Sequence, residues 1–523
     1  MSRCVFLLLT VICSFTHAAN ILYIDGVASP SHFIWHKALI NGLAAKGHNV
    51  TALSVDVEEN APMNVSYIKM EGVYESLFEE DGMESDFFEI GQMNPFSVLA
   101  MFNEYATIGC KLTLKTAGLR QLLEYPREFK FDLIISDYLN GPCISAVAQH
   151  KFGRPPYIAA TAFHGLTTTN MMSGAFSYSA SVPNHEFNTP QSMGYCQRFM
   201  NFLYNHWEEL LKIYNMYPKV DKIVRKEFPD IPYVGDLDRD TRIILLNSNP
   251  VIQYSEASMP NVISVGGMQI VKPKELPEDL KKLVDNAKNG AILFSLGTNV
   301  RSDMLGDKRI IEILNAMSQF PEYQFLWKFE SDAMPIEVPK NVYIRKWMPQ
   351  NDLLAHPNLK LFITHSGLLS TQEAIYNGVP IIGFPVFADQ HQNINYCMEQ
   401  GVGKRLSIKN VKSSELVNAI RELMTDDRSV ACYRENMSRL SKIFRDQKEP
   451  PLERAIWWVE WVLRHPTSKI LQSNAVRLDW FVKYSFDVIV PLVLAGLIVL
   501  SIPIKIMRYV MCRKQGQVKT KRE

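Results

Sequence analysis

The chain is poor in cysteine, almost free of net charge, and has apolar runs of any length only at its two ends. Eight cysteines in 523 residues are too few for a disulfide-built scaffold. No CxxC pair or Cys/His metal spacing appears. A formal net charge of +1 argues against a nucleic-acid binder that works by neutralising phosphates. With 47% hydrophobic and 21% charged residues, the composition excludes a disordered chain, a collagen-like chain and a polytopic membrane protein. There is no short-period repeat and no Gly-x-Ser-x-Gly elbow, and Gly401-Val-Gly-Lys404 lacks P-loop spacing. What remains is length enough for two to three ordinary domains, each with its own core.

The ends are informative. Arg3, the apolar run Cys4–Phe15 and the residues Thr16-His17-Ala18 read as a secretory signal cut after Ala18. The alternative, an N-terminal anchor, needs a longer run. Near the other end, Val488–Ile504 is uncharged and apolar, bounded by Asp487 and Lys505, and with its flanks suffices for one crossing. Pro491 and Pro503 suit a membrane helix better than a soluble one. Lys505, Arg508, Arg513 and Lys514 follow at once and mark that side as cytosolic. Both cues predict a type I topology. Lys519 and Lys521, fifth and third from the end, resemble a dilysine signal for retrieval to the endoplasmic reticulum. A generic basic tail beside an anionic leaflet is the alternative. The non-cytosolic cysteines are Cys110, Cys143, Cys196, Cys397 and Cys432, an odd number, so at least one lacks an intrachain partner. Asn49, Asn64 and Asn436 open glycosylation triplets, with Asn49 the weakest because it starts an expected strand.

Between the ends, short apolar runs alternate with amphipathic stretches. Strands are expected at 21–24, 50–53, 132–136 and 157–160, with a helix over 35–46 and another ending near Gln149. That order implies parallel sheet with helices on its faces. Residues 165–235 are rich in Met, Asn, Tyr and Ser, helical in pattern and poor in strand signals. Prolines 229, 232, 250 and 260 suggest a boundary region over 235–265. A second series follows, with strands expected at 291–295, 324–328, 342–344, 361–363 and 380–384. Leu452–Leu463, with three tryptophans, reads as an amphipathic helix that could lie on a membrane surface. Two such α/β halves facing each other bring both carboxyl-end surfaces onto one cleft, where open parallel sheets bind ligands.

The densest polar cluster is Trp347-Met-Pro-Gln350, then Thr364-His365-Ser366-Gly367, Ser370, Glu373, Gly378-Val-Pro380 and Asp389-Gln390. The His365–Gly367 turn falls where a strand gives way to a helix, and a helix N-terminus offers free N–H groups to phosphate. Glu373 is placed to hold a ribose hydroxyl pair, and Asp389-Gln390 to hold sugar hydroxyls. Other readings are weaker. His365, Ser366 and Asp389 lack a nucleophile elbow, and Asp236-Leu-Asp238 lies in a charged run beside Arg239 and Asp240.

The spacing from Trp347 to Gln390 resembles the signature of the UDP-glycosyltransferases, the membrane-bound family that conjugates small lipophilic molecules in detoxification. Ser295-Leu-Gly297-Thr298 resembles that family's phosphate loop, and signal, anchor and tail also fit. The resemblance implies two Rossmann-like domains facing a cleft, the GT-B glycosyltransferase fold, plus one C-terminal transmembrane helix. The expected organisation is a signal peptide at 1–18, an acceptor-binding domain at 19–240 and a UDP-sugar-binding domain at 241–445. A juxtamembrane segment at 446–485, a span at 486–506 and a tail at 507–523 complete it. Trp347 would stack on uracil beside Gln350, Glu373 would bind ribose, and His365, Ser295 and Thr298 would contact diphosphate. Asp389 and Gln390 would hold the sugar, and Gly297, Gly367 and Ser370 belong to the same motifs. Leu369 stands where many relatives have Asn.

The catalytic base is expected in the first half. His32, after the first strand and at a helix start, is kept neutral by the helix dipole and able to take a proton. His36 ranks second. Asp137, at the end of a strand on the same surface, is the expected orienting acid. Both match the family's pair. The reading is an inverting transfer of hexose to the hydroxyl of a small lipophilic acceptor, without a metal, in an endoplasmic-reticulum membrane protein whose self-association is left open. UDP-glucose is the expected donor over UDP-glucuronate, because no arginine stands in Ser255–Met259 before Pro260-Asn-Val262. A glucuronosyltransferase and a non-catalytic lipophile binder are the alternatives.

Overall fold

A computed structural model describes residues 18–76, 87–126 and 128–519, the last eight of these in backbone only. The expected signal peptide and Lys521 lie outside the described residues. Two parallel sheets form the body. The first contains β1 (Asn20–Asp25), β2 (Asn49–Ser54), β3 (Val65–Lys69), β4 (Leu133–Asp137), β5 (Tyr157–Thr161), β6 (Thr241–Leu246) and β7 (Val262–Ser264), in the order β3-β2-β1-β4-β5-β6-β7. The second contains β8 (Ala291–Ser295), β9 (Gln324–Lys328), β10 (Val342–Arg345), β11 (Leu359–Thr364), β12 (Ile381–Gly383) and β13 (Gly403–Arg405), in the order β10-β9-β8-β11-β12-β13. Every pairing is parallel.

Helices cover both faces of each sheet, which is why the strands read as unbroken apolar runs. Along β1, Leu22 and Ile24 belong to one buried cluster, Ile21 and Tyr23 to the opposite one. Along β8, Ile292 and Phe294 alternate in the same way with Ala291 and Leu293. Burying a leucine-sized side chain contributes about 1.5–3 kcal/mol, so each strand is held by its interior residues and has polar freedom only at its ends.

Two expectations about organisation are corrected. The boundary at 240/241 falls inside the first sheet, because β6 pairs with β5 and β7 with β6. The first domain therefore extends past Ser264. The helix Pro451–Arg464 returns to that domain and packs on the helix Pro30–Ala45. Gly42 permits the approach: a Cβ there would lie 2.9 Å from Ile456 and 3.0 Å from Leu452. Trp458 and Trp461 pack inward with this contact and only Trp457 is exposed, so this helix does not present the membrane-binding face expected of it.

The helix Phe486–Lys519 contains the expected span, and its stretch Phe486–Met511 is long and apolar enough to cross a membrane. Cys110 and Cys143 form a disulfide, while Cys196, Cys397 and Cys432 are free. Of the glycosylation triplets, Asn49 opens β2, as expected, and its Nδ2 donates to Asn20 Oδ1 at 3.1 Å. Asn64 Nδ2 donates to Ala44 O at 2.7 Å and His48 O at 2.8 Å, and Asn436 lies mid-helix in Asp427–Arg445. Asn49 is the exposed one.

Candidate active site

Each sheet reverses its winding once, between β1 and β4 in the first and between β8 and β11 in the second. Such switch points open crevices at the carboxyl ends of the strands, and the expected residues gather at both.

At the first, β1 leads into the helix Pro30–Ala45, whose first turn carries His32. Ser29 holds the N-cap position without a side-chain capping bond. Its Oγ instead accepts from Asn299 Nδ2 of the second domain at 2.9 Å. Asp137 closes β4. Its Oδ2 lies 2.7 Å from His32 Nδ1 and 2.8 Å from His36 Nε2, and its Oδ1 accepts Leu139 N–H at 2.8 Å. An ionised carboxylate only accepts, so each ring nitrogen facing it carries a proton. His32 is then the Nδ1–H tautomer, and its lone pair sits on Nε2. His36 is fully buried, and its Nδ1 is engaged by the Tyr23 hydroxyl at 2.8 Å. His36 therefore buttresses Asp137 and does not reach substrate, which removes it as the second-ranked base.

Three side chains of metal-ligating type thus converge, their ligating atoms within 4.8 Å of one another, but the contacts to Asp137 have hydrogen-bond lengths. The electrostatics agree with a relay. Burial would raise the Asp137 carboxyl, but the charge and hydrogen bonds of His32 and His36 hold it well below the usual range. Burial would lower His36, yet Asp25 and the Asp137 contact raise it. Asp25 itself is pushed by burial to about 6.

His32 lines a cavity of about 200 Å³ with Ile90, Leu99, Ala106, Leu139, Phe163 and Phe387 among its apolar walls. Its polar lining includes Glu208 and Lys212, which pair at 2.8 Å. The short helix Phe87–Ile90 ties this wall to the second domain. Phe87 stacks on Phe387 at 4.6 Å, and Phe88 joins the second domain's core.

At the second switch point, β8 ends at Ser295, whose Oγ accepts Gly297 N–H at 3.3 Å. β11 ends at Thr364, and the helix Leu368–Asn377 begins with no side-chain cap. Its first amides are free for an anion. His365 is enclosed by two glycines: a Cβ at Gly297 would lie 2.4 Å from its ring, and one at Gly367 2.5 Å. Burial and the nearby Lys328 charge pull the His365 imidazole down to about 4. It is therefore neutral at physiological pH. Beneath the loop, Lys328 Nζ donates to Gly297 O at 2.9 Å and is paired with Glu330 Oε1 at 2.5 Å. Thr298 lies half-buried in the same loop.

Further along the cleft, Gln350 Nε2 donates to Glu373 Oε2 at 2.7 Å and to Ser370 Oγ at 3.0 Å. Burial pushes the Glu373 carboxyl up to about 7, with the Gln350 contact opposing. Trp347, just ahead, is 59% exposed, unusual for an indole and suited to stacking. Asp389 is tied to Asn393 at 3.0 Å, and Asn393 also donates to Ser366 O. Burial pushes Asp389 to about 6. Gln390 Oε1 is turned back onto Val386 and Phe387 N–H, so this side chain has only its Nε2 left for a sugar. Leu369 packs against the first domain's core.

Asn299, Lys328, Asn393 and His185, which borders the cavity, were not apparent from the sequence. Only Lys328 left a signal, as a charge closing an apolar strand.

Two doubly wound sheets, with a buried His–Asp pair at one switch point and an anion-ready helix start at the other, make this a GT-B glycosyltransferase. Structural likeness agrees. Os79 from O. sativa, solved with U2F and trichothecene, superposes with a TM-score of 0.57 over 85% of this chain and 100% of its own at 18% identity. The glycotransferase of kitacinnamycin superposes with a TM-score of 0.55 over 85% and 99% at 18% identity. In sequence, the family model described as "UDP-glucoronosyl and UDP-glucosyl transferase" matches residues 23–522. UDP-glycosyltransferase UGT5 of Dactylopius coccus is 31% identical over 92% of this chain and 90% of its own. UDP-glucosyltransferase 2 of the same insect is 30% identical over 92% and 91%, and human UDP-glucuronosyltransferase 2B17 is 29% identical over 93% and 92%. The chain belongs to the UDP-glycosyltransferase family and is an enzyme of that class.

Two predictions follow from the geometry. His32→Ala should lower turnover by about two to four orders of magnitude while leaving UDP affinity unchanged, since the expected nucleotide-binding residues lie on the other domain. Asp137→Asn should lower turnover too, by unsettling the tautomer. Near-normal turnover in His32→Ala, measured at saturating donor, would exclude it as the base.

If Glu373 accepts the ribose hydroxyls, it does so best when ionised. Binding then favours loss of its proton, so UDP affinity should rise with pH through about 7 and level off above. Glu373→Gln should bind more weakly and lose that part of the pH dependence. Calorimetric titrations of both proteins, one unit below and one above that value, decide it; parallel curves would remove Glu373 from the site.

Proposed function

We propose that the protein transfers glucose from UDP-glucose to the hydroxyl of a small lipophilic acceptor, with inversion at the anomeric carbon. The observation that carries this is His32, with Asp137 behind its Nδ1 and a largely apolar cavity before it. An acceptor hydroxyl held there gives its proton to His32 Nε2. Its oxygen attacks the anomeric carbon, and the bond to the diphosphate oxygen breaks on the opposite face. Asp137 stabilises the imidazolium that forms. The neutral His365 and the uncapped amides of Leu368–Asn377 receive the charge on departing UDP. Trp347, Gln350, Ser370 and Glu373 hold the nucleoside, and Ser295, Gly297, Thr298 and Gly367 shape the diphosphate loop. Asp389 and the Nε2 of Gln390 bind sugar hydroxyls. No step requires a metal.

The choice of glucose rests on missing cations. A carboxylate at sugar carbon six needs a partner, ideally an arginine fork, because an unpaired buried charge costs several kcal/mol. Ser255–Met259 has none and contains Glu256. His185, which acts electrostatically on Asp389, has its Nε2 already paired with Glu186 Oε1 at 3.3 Å. A neutral hexose avoids the problem. Offered equal UDP-glucose and UDP-glucuronate over one active acceptor, the enzyme should form mainly glucoside; mass-spectrometric detection of mainly glucuronide would reverse the assignment.

The helix Phe486–Met511 is read as a type I anchor in the endoplasmic-reticulum membrane, with the two domains lumenal. Arg508 and Lys505 at its far end support that direction, and Lys519 with Lys521 supports retrieval. Changing both lysines to Ser should let the full-length protein pass beyond the endoplasmic reticulum in cells. Unaltered distribution by immunofluorescence would leave only a basic tail.

A further inference from the structure

The helix that carries His32 gives up its own cap. Ser29 holds the N-cap position of Pro30–Ala45 in extended backbone. A serine there ordinarily accepts from the amide two or three residues on, and three residues on is His32. No such bond forms. Asn299 Nδ2, from the second domain, donates to Ser29 Oγ at 2.9 Å instead. The Ser29 proton is then left for Ser31 Oγ at 3.0 Å or Asn299 Oδ1 at 3.2 Å.

The helix does not gain from this exchange, since an unused cap destabilises it. Nor do the domains need the bridge to stay together. Phe87 stacks on Phe387 at 4.6 Å, Phe88 is buried in the second domain's core, and Gln392 Nε2 donates to Pro183 O at 3.1 Å. What sets the bridge apart is what lies at its two ends. Asn299 directly follows Ser295–Thr298, the loop whose Gly297 packs on the His365 ring. Ser29 opens the turn that carries His32, and Ser29, His32 and Asn299 line one cavity. Asp137 orients the His32 ring from within the first domain. It cannot set the distance from that ring to a donor held by the second domain, and an error of about 1 Å in such a distance costs on the order of a hundredfold in rate.

We propose that Asn299 and Ser29 are positioning residues, whose bond sets the start of the His32 helix against the diphosphate loop and so places the base relative to the anomeric carbon. This rests on the reading of His32 as base and Ser295–Thr298 as diphosphate loop given above. Neither residue touches a reacting atom. Ser29 has a second arrangement open to it: with the domains apart, its Oγ can turn to the helix amides and cap them. One hydrogen bond is exchanged for another, and the base is placed only while the domains are closed.

The test is a double-mutant cycle on the full-length protein, with turnover read at saturating UDP-glucose and 1-naphthol and UDP affinity by calorimetry. Asn299→Ala and Ser29→Val should each lower kcat by about ten- to a hundredfold, with UDP affinity and melting temperature unchanged. Ser29→Thr, which has the shape of valine and keeps the hydroxyl, should recover most of the turnover that Ser29→Val loses. The double variant Ser29→Val/Asn299→Ala should be no slower than the slower single one, because both changes remove the same bond. A double variant slowed by the product of the two single effects would show independent roles and refute the bridge. Equal turnover in Ser29→Thr and Ser29→Val would also refute it. Loss of UDP affinity in Asn299→Ala in step with turnover would make Asn299 a donor ligand and refute it too. His32→Ala, run alongside, tests the base itself. Near-normal turnover there overturns the reading beneath the proposal, whereas a large fall there with no effect at Asn299 refutes the bridge alone.

Discussion

A parallel strand covered on both faces has no room for polar chemistry except where it ends. That constraint governs this enzyme. β1, β4, β8 and β11 are buried through most of their lengths, so Asp137, Ser295 and Thr364 are polar where their strands stop. The winding order then determines which ends meet. Because β1 lies beside β4, His32 and Asp137 become neighbours across 105 residues of sequence. Because β8 lies beside β11, the Gly297 loop closes on His365. Each glycine around that ring is required by contact, since a Cβ at either would lie inside the imidazole's van der Waals surface.

Much of this was legible because apolar runs and ligand motifs are local. β8 and β9 occupy the expected residues, and within the motif Gln350 is hydrogen-bonded to Ser370 and Glu373. The strands that escaped notice carry weak local signals. β3 is half exposed, and β13 is a three-residue strand at the edge of its sheet. β6 and β7 lie among prolines that suggested a boundary, although tertiary pairing continues the first sheet through them. The functional residues that escaped notice are single polar side chains whose partners are far away in sequence. Asn299 matters through Ser29, and Asn393 through Asp389 and Ser366. His36 shows the converse limit. It shares its residue type and helix with His32, and only burial and the Tyr23 contact separate a buttress from a base.

The relay also explains how one carboxylate serves two imidazoles. Oδ2 of Asp137 accepts from both rings, and Oδ1 is taken by a backbone N–H. A group so saturated stays ionised despite burial. Asp25, with one weak backbone contact at 3.4 Å and an unpartnered Oδ2, lacks that support and is pushed up by burial. Two carboxyls near His36 are thereby separated in proton affinity, and the negative charge stays behind His32, where proton uptake needs it.

The helix Tyr195–Leu211, with Asn201, Asn205, Glu208 and Glu209 buried and Phe199, Phe202, Leu203 and Trp207 exposed, follows the same logic of space. An apolar inner face would pack inward and fill the acceptor cavity with its own side chains. Here the inner face is held by directional contacts instead. Asn201 donates to Ser179 O and Val182 O, Asn205 to Ser179 Oγ, Glu208 pairs with Lys212, and Glu209 pairs with Lys483. Buried ion pairs add little net stability, but they fix position without requiring close packing across the void. Apolar residues are then free to face outward, and that arrangement is tolerable only where water is not the neighbour. A wall held in place by polar contacts keeps open the cavity that His32 borders.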